Sequence, residues 1–485
     1  MNLFLPELSL AAAAILVILV DLFVQRKSIL AGICVAGLAV SAIFTLTMWG
    51  GAAQSIFNNN VAVDNFALVF KLLFAGIAIL VILASMDYVG KMPRFQGEYF
   101  ALILLSTLGM MLMAAAADLI TIYLAIELTV LPICALVALL KDQKSTEAGL
   151  KYVLLSATIS AVLLFGMALV FGVTGKTQIS EIADAISGLN LANAAANPAL
   201  TAGIVLIIAG FGFKIATVPF HMWVPDVYEG APTPITAYLS VASKAAGFAV
   251  IIRVFSTAFG SPAWLSANWG VTFAILAAIT MTVGNVLAIP QTNVKRMLGY
   301  SSIAQAGYIM VGLATIGIAP EAAISGQSSL VFFLVSYALT NLGAFIAVIA
   351  ISNKVNSDDI KDFSGMIKRA PVLALALTIC LISLIGMPPA AGFMAKFYIF
   401  SAGASAGLMW LIIIALVNTA ISAYYYLRVA KVMWFGEPAS TEGVYSSAAL
   451  RIALVIACFG VLLLGLFPGI IMNVTEAAKT LFALK

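Results

Sequence analysis

Apolar runs of about 20 residues, the length needed to cross a hydrocarbon core about 30 Å thick, recur along this chain. Charged residues or Pro/Gly turns separate them. Fourteen runs can be drawn, at 4–24, 29–49, 62–85, 98–117, 119–140, 148–173, 200–222, 232–257, 268–290, 298–318, 327–352, 371–403, 407–433 and 449–471. They predict an all-α polytopic membrane protein of about fourteen transmembrane helices. The opening run, MNLFLPELSLAAAAILVILVDLF, has no positive segment before it. It is expected to be a retained first span rather than a cleaved signal peptide.

The charges support that division. Of 24 lysines and arginines, 15 fall in loops after odd-numbered runs: Arg26, Lys27, Lys91, Arg94, Lys141, Lys144, Lys295, Arg296, Lys354, Lys361, Lys368, Arg369, Arg428, Lys431 and Arg451. Loops after even-numbered runs hold Lys176 and Arg253, and the C-terminal tail holds Lys479 and Lys485. Basic loops stay in the cytoplasm, so both termini are expected on the opposite, periplasmic side.

Composition removes other classes. With 63% hydrophobic residues and 9% charged residues, a soluble core could not absorb the apolar surface. The net charge of +4 lies in short loops and forms no basic arm for nucleic acid. Cys34, Cys134, Cys380 and Cys458 sit singly in apolar runs, without zinc or iron–sulfur spacing. Gly210-Phe-Gly212 runs on into Phe213-Lys214-Ile215, which is not a dinucleotide fingerprint. Any redox chemistry is expected in other chains.

Five lysines remain inside or at the edge of apolar runs: Lys71, Lys151, Lys214, Lys244 and Lys396. Among the acids Glu127 lies deep within one. At 1.5 Å per residue Glu127 is roughly 14 Å and Lys244 roughly 18 Å into its helix, near mid-membrane. A charge there costs about 2.5–3.5 kcal/mol on insertion scales. One reading is structural ion pairing. Against it, Glu127 cannot pair with Lys214, Lys244 and Lys396 together. Desolvated lysines that a moving neighbour can charge or discharge suit a proton relay.

Helix breaks fall beside these lysines. In GFKIATVPFHMWVPDVYEGAPTP, Pro219 and Pro225 flank His221, the one histidine; in LIGMPPAAGFMAKFYIF, Pro388 and Pro389 precede Gly392 and Lys396. Non-helical backbone at this depth must line a cavity or be buried in protein. The broken runs are five apart, as in inverted repeats of runs four to eight and nine to thirteen. The expected division is 1–97 (three helices), 98–260 and 261–435 (two repeat units) and 436–485 (a last helix). Pro132 is a third break or an ordinary kink. His221 is a relay group or bonds carbonyls released by Pro225. Asp226 and Glu229 are expected to cap or brace the next helix at the outer surface, or to lie in a solvated loop. Tyr424 to Tyr426 and Phe332-Phe333 read as packing rather than a quinone site. For Lys71 a structural pair is expected.

The stretch from Gly212 through PFHMWVPDVYEGAPTP to Ser243-Lys244, together with QTNVKRMLGYSSIAQAGY and GFMAKFYIF, resembles the antiporter-like subunits of bacterial NADH-quinone oxidoreductase, respiratory complex I, and within them the subunit N family. The resemblance covers nearly the whole chain. The sister subunits L and M share PxHxWxPD but diverge after it; the long lateral helix of L is missing here, and M would be expected to carry glutamate at 396. The resemblance implies fourteen helices, two inverted five-helix units, broken helices seven and twelve, and one proton pathway. It assigns the relay to Glu127, Lys214, Lys244 and Lys396, with Lys151 as a further lysine. Gln305 departs from it, since many relatives have histidine there; the central link would then run through water or Tyr308. FMN, iron–sulfur clusters and quinone are implied in partner subunits, none in this chain, and the partners would be other membrane subunits, subunit M among them. The location implied is a bacterial inner membrane. A multisubunit cation/proton antiporter is the alternative function, and a scaffold held by buried charges a third. Two mechanistic expectations follow: a switchable Glu127–Lys214 ion pair, and lateral charge movement from Lys214 through Lys244 to Lys396, bridged by water, Tyr308 or Ser302.

Overall fold

The computed structural model describes residues 2–24, 28–90, 92, 94–189, 193–319, 322–438, 440 and 442–477. Arg26, Lys27, Lys91, Lys479 and Lys485 lie outside the described residues. Helices α1 (Leu5–Asp21) and α2 (Ser28–Thr47) lead to a hairpin of Gln54–Ile56 and Val61–Val63, antiparallel with Ser55 opposite Ala62. Then come α3 (Asn65–Val89), α4 (Gln96–Ala115), α5 (Leu119–Val137) and α6 (Gln143–Thr174), followed by the short amphipathic α7 (Ile179–Gly188). Carboxylates set the starts of α3, α5 and α6. Asp64 accepts from Ala67 N, Asp118 from Ile120 N and Thr121 N, and Asp142 from Ser145 N, each satisfying amides that the first turn leaves without partners.

The seventh run is broken. Helix α8 (Pro198–Ile215) ends at Ala216, held at φ +61°, and the chain turns before α9 (Trp223–Gly230). Pro219 lies in the turn. Pro225 does not break anything: it sits in the first turn of α9, where the missing N–H has no helical partner to lose. Pro132 likewise leaves α5 continuous. The eighth span is α10 (Thr233–Tyr238), a π-helical turn over Leu239–Ser243, and α11 (Lys244–Thr257).

Helices α12 (Ala263–Ala288), α13 (Val294–Ile318) and α14 (Ala323–Val355) follow, then the single turn α15 (Met366–Arg369). The twelfth run is two helices of 15 residues, α16 (Pro371–Ile385) and α17 (Ala391–Ser405). Helices α18 (Met409–Phe435), α19 (Ala448–Leu466) and α20 (Gly469–Ala477) complete the bundle. Among the described residues 13 helices are long and apolar enough to cross a membrane. The α16–α17 pair is the one predicted span in which neither half is.

Burial sorts these spans into a centre and a rim. In an 18-residue apolar window, α10–α11 is 100% buried, α13 94% and α14 89%, whereas α1, α2, α6 and α19 are 33% buried. Membrane helices without a hydrophobic drive approach through small residues. At the α12–α13 contact a Cβ on Gly284 would lie 2.6 Å from Ala304 N, and one on Gly307 2.5 Å from Met281 N.

Two buried ion pairs clamp the first helices. Lys71 Nζ meets Glu7 at 2.6 Å, and neither head has another hydrogen-bond partner. Arg253 binds Asp64 through both nitrogens at 2.9 Å and gives Nε to the Ala114 carbonyl. The loop placement of Arg253 is therefore corrected: it is a buried residue of α11, desolvated because Asp64 is there to receive it.

Candidate functional site

The central helices bring a row of lysines together with hydroxyls and freed carbonyls. Lys214 is buried in the last turn of α8, and its Nζ has no hydrogen-bond partner. Glu127 on α5 is within electrostatic reach, but its carboxylate accepts instead from the Ser160 hydroxyl of α6 at 2.5 Å. The expected ion pair is not formed in this structure. The turn beyond Lys214 is held by α12: Thr280 bonds the Thr217 hydroxyl at 2.8 Å and the Val218 amide at 3.0 Å. Trp223 Nε1 donates to the Phe213 carbonyl at 3.1 Å, which the Ala216 amide also uses at the helix end.

Lys244 begins α11 directly after the π turn, a local widening of the helix often found where a side chain must be re-aimed. Its Nζ donates to the Ser302 carbonyl and hydroxyl, both at 2.5 Å, and the Tyr337 hydroxyl of α14 donates to the same Ser302 oxygen at 2.8 Å.

At the second break Gly386 takes φ +89°, a left-handed conformation that glycine adopts without cost. The carbonyls exposed there are both used: Leu384 O by Gln305 Nε2 at 3.0 Å and Ile385 O by Lys396 Nζ at 2.9 Å. Gly392 packs where a Cβ would fall 1.8 Å from the Ser383 carbonyl, so only glycine fits. Lys396 also reaches Thr419 of α18 at 3.3 Å and lies 4.3 Å from the Tyr308 ring centre. It stands between two spaces. One is an internal cavity of about 10 Å³, which Gln305, Tyr337 and Ser383 help to line. The other is a groove of about 370 Å³ at the bundle surface, walled by Phe393, Phe397 and Phe400.

The remaining expected groups fall in different places. His221 lies half-buried in the α8–α9 turn, and its Nδ1 has no hydrogen-bond partner, so that nitrogen satisfies no carbonyl. Lys151 is at the helix end, bonded to Glu147 at 2.8 Å and Asp226 at 2.9 Å. Asp226 and Glu229 also share Arg296, at 2.8 and 3.1 Å. This corrects the outer-surface placement. Both acids lie at the end of the bundle that carries the basic loops, because Lys144, Lys151 and Arg296 attract them there. Burial pushes the Asp226 carboxyl upward, but its hydrogen bonds to Lys151 and Arg296 outweigh this and hold it below the ordinary range.

Several polar groups carry no sequence signal. Tyr425 and Tyr426 are corrected from packing residues: Tyr425 donates to Asn285 at 2.9 Å, and Tyr426 bonds the Ser301 hydroxyl and lies 3.4 Å from Gln305 Nε2. Tyr424 faces outward at 62% exposure. Asn285 also donates to the Tyr308 hydroxyl at 3.0 Å and to Asn418 at 3.3 Å. Phe332 is fully buried and packs edge-on to Tyr398. A sequence shows such residues as isolated Ser, Asn or Tyr in apolar helices; the partners that Tyr425 and Tyr426 bond on α12 and α13 are more than 100 residues away. Among the described residues no cluster of three or more His, Cys, Asp and Glu is placed to hold a metal.

A polytopic bundle with buried lysines at two helix breaks and a π turn defines an antiporter-like membrane subunit. Residues 116–422 match the family described as NADH:quinone oxidoreductase/Mrp antiporter, transmembrane. The chain belongs to the NADH-quinone oxidoreductase subunit N family: it is 49% identical to the Dehalococcoides mccartyi subunit N over 99% of both chains, and 43% identical to that of Trichlorobacter lovleyi over 99% of this chain and 97% of the relative. Its fold resembles a chain of respiratory complex I from Thermus thermophilus, at TM-score 0.81 and 32% identity over 98% of this chain and 99% of that one. A chain of the Mrp complex from Dietzia has TM-score 0.84 at 19% identity over 99% and 96%, a likeness of fold.

Proposed function

We propose that this chain is a proton-translocating subunit of an NADH-quinone oxidoreductase, making no chemical bond itself and moving protons when electron transfer in partner subunits drives it. The observation that carries this reading is the central row of buried lysines. Lys214, Lys244 and Lys396 are each desolvated at an interruption of regular helix, and none has a carboxylate within ion-pair distance among the described residues. A structural glue would pair its charges, as Lys71 with Glu7 and Arg253 with Asp64 do. Groups that must change charge need polar neighbours that tolerate both forms, and hydroxyls and carbonyls do.

In this reading Glu127 and Lys214 form the driven pair, Lys244 the middle station and Lys396 the far one, passing protons out or to a neighbouring subunit such as subunit M. Lys151 and His221 are secondary, near the end with the basic loops. The units 98–260 and 261–435 act as inverted repeats, with residues 1–97 and 436–485 flanking them. FMN, iron–sulfur clusters and quinone belong to partner subunits. The chain lies in a bacterial inner membrane with both termini periplasmic.

The test is Lys214→Met in the assembled complex, reconstituted in vesicles, with protons pumped per NADH oxidised as the readout. A lowered ratio supports the reading; an unchanged ratio leaves the buried lysines as scaffold.

A further inference from the structure

The gap between Lys244 and Lys396 needs a carrier, and the two expected groups are unsuited. Gln305 has an amide that does not take up a proton, and its Nε2 is committed to the Leu384 carbonyl. Tyr308 offers Lys396 its ring face, and its hydroxyl accepts from Asn285, with no hydrogen bond on the Lys244 side among the described residues.

Tyr337 touches both sides. Its hydroxyl donates at 2.8 Å to the Ser302 oxygen that Lys244 holds at 2.5 Å, and the residue lines the small cavity that Lys396 also lines. At about 10 Å³ that cavity has room for about one water. Ser336 on its wall is buried with a hydroxyl that has no hydrogen-bond partner, while Ser383 and Thr340 bond each other at 2.9 Å. An orphaned buried hydroxyl beside a space of one-water size, with Tyr337 and Lys396 also on its wall, is a setting in which an ordered water is held.

We propose that Tyr337 is the hydroxyl through which a proton passes between Lys244 and Lys396, with one water in the Ser336 cavity as the next carrier; this rests on the relay reading above. Charged Lys244 gives a proton to the Ser302 hydroxyl, which passes its own hydrogen to Tyr337 oxygen. Tyr337, turned toward the cavity, passes its own to the water, and the water passes one to neutral Lys396. Each hydroxyl gains one hydrogen and loses one. The net change is one proton moved from Lys244 to Lys396, with no phenolate formed. Lys396 reaches the water by swinging from the Ile385 carbonyl, and the hydroxyls then turn back for the next proton.

The test uses the assembled complex in vesicles, with protons pumped per NADH oxidised measured for Tyr337→Phe, Lys244→Met, Lys396→Met and the double variant Tyr337→Phe/Gln305→His. The expected result is a Tyr337→Phe ratio as low as that of Lys244→Met, with the double variant restored, because an imidazole on the same cavity wall can take up a proton. Restoration is a readout that loss of packing would not give. A normal ratio in Tyr337→Phe beside a lowered one in Lys244→Met overturns the role of Tyr337 and leaves the relay standing. Normal ratios in all variants overturn both. Should Tyr337→Phe fail to assemble, 3,5-difluorotyrosine at position 337 keeps the ring and makes the hydroxyl more acidic. Its weaker acceptor oxygen slows transfer from Ser302, so a lowered pumping ratio supports the role, and an unchanged ratio overturns it.

Discussion

Glu127, half-buried on α5, and Lys214, buried in the last turn of α8, stand apart: the acid holds the Ser160 hydroxyl at 2.5 Å, and the lysine head has no hydrogen-bond partner. In the relay proposed above, this is the open arrangement of the driven pair. Closure would have Glu127 leave Ser160 and approach within about 4–6 Å, where a carboxylate favours the charged lysine.

Replacing Glu127 by Gln keeps the hydrogen bond to Ser160 and removes the charge. Assembly should survive while pumped protons per NADH fall several-fold at this subunit. Native gels and vesicle pumping check both halves, and full pumping would sink the pair.

Lys244→Met and Lys396→Met, made separately, should each lower the same ratio. Loss in Lys244→Met with normal pumping in Lys396→Met would confine the path to α8 and α11 and leave Lys396 structural.

The Arg253–Asp64 pair should behave in the opposite way. Arg253→Met removes the guanidinium that balances the buried Asp64 charge, a loss on the order of 3–5 kcal/mol. The expected outcome is poor assembly or a lowered melting temperature of the purified complex, partly recovered in Arg253→Met/Asp64→Leu. No recovery in the double variant would refute the charge-pair account.

Asp226 gives a pH expectation. Its carboxyl is held below the ordinary range, so the stabilisation it supplies is complete above the unfolded-state value of about 4 and is lost as pH falls through the folded value. The difference in melting temperature between wild type and Asp226→Asn should be constant from pH 6 to 8 and shrink only in strong acid. A difference that changes across the neutral range would contradict the assignment.

Orientation has its own check. A cysteine at residue 2 should react with an impermeant thiol reagent from the periplasmic side; labelling only from the cytoplasmic side would reverse the topology.

The spans, both breaks and the buried lysines beside them were legible in the sequence because each violates an apolar background: a lysine in a membrane run needs few neighbours to be noticed. Their partners were not. Ser302, Tyr337, Asn285 and Tyr426 have side chains common in ordinary membrane helices, and their meaning lies in contacts between segments far apart in the chain. The π turn before Lys244 left no mark either, since LSVAS contains neither proline nor glycine. Arg253 misled for a related reason: near a helix end it counts as a loop charge until its partner, 189 residues earlier, is known.

The size of the space beside Lys396 bears on which ions could pass. A cavity of about 10 Å³ admits about one water, whereas a sodium ion travels with a shell of several. Sodium entering here would have to shed nearly all of that shell beside an ammonium of the same sign. Selectivity for protons at this step would then come from lack of room, with no ligand set built to choose between cations.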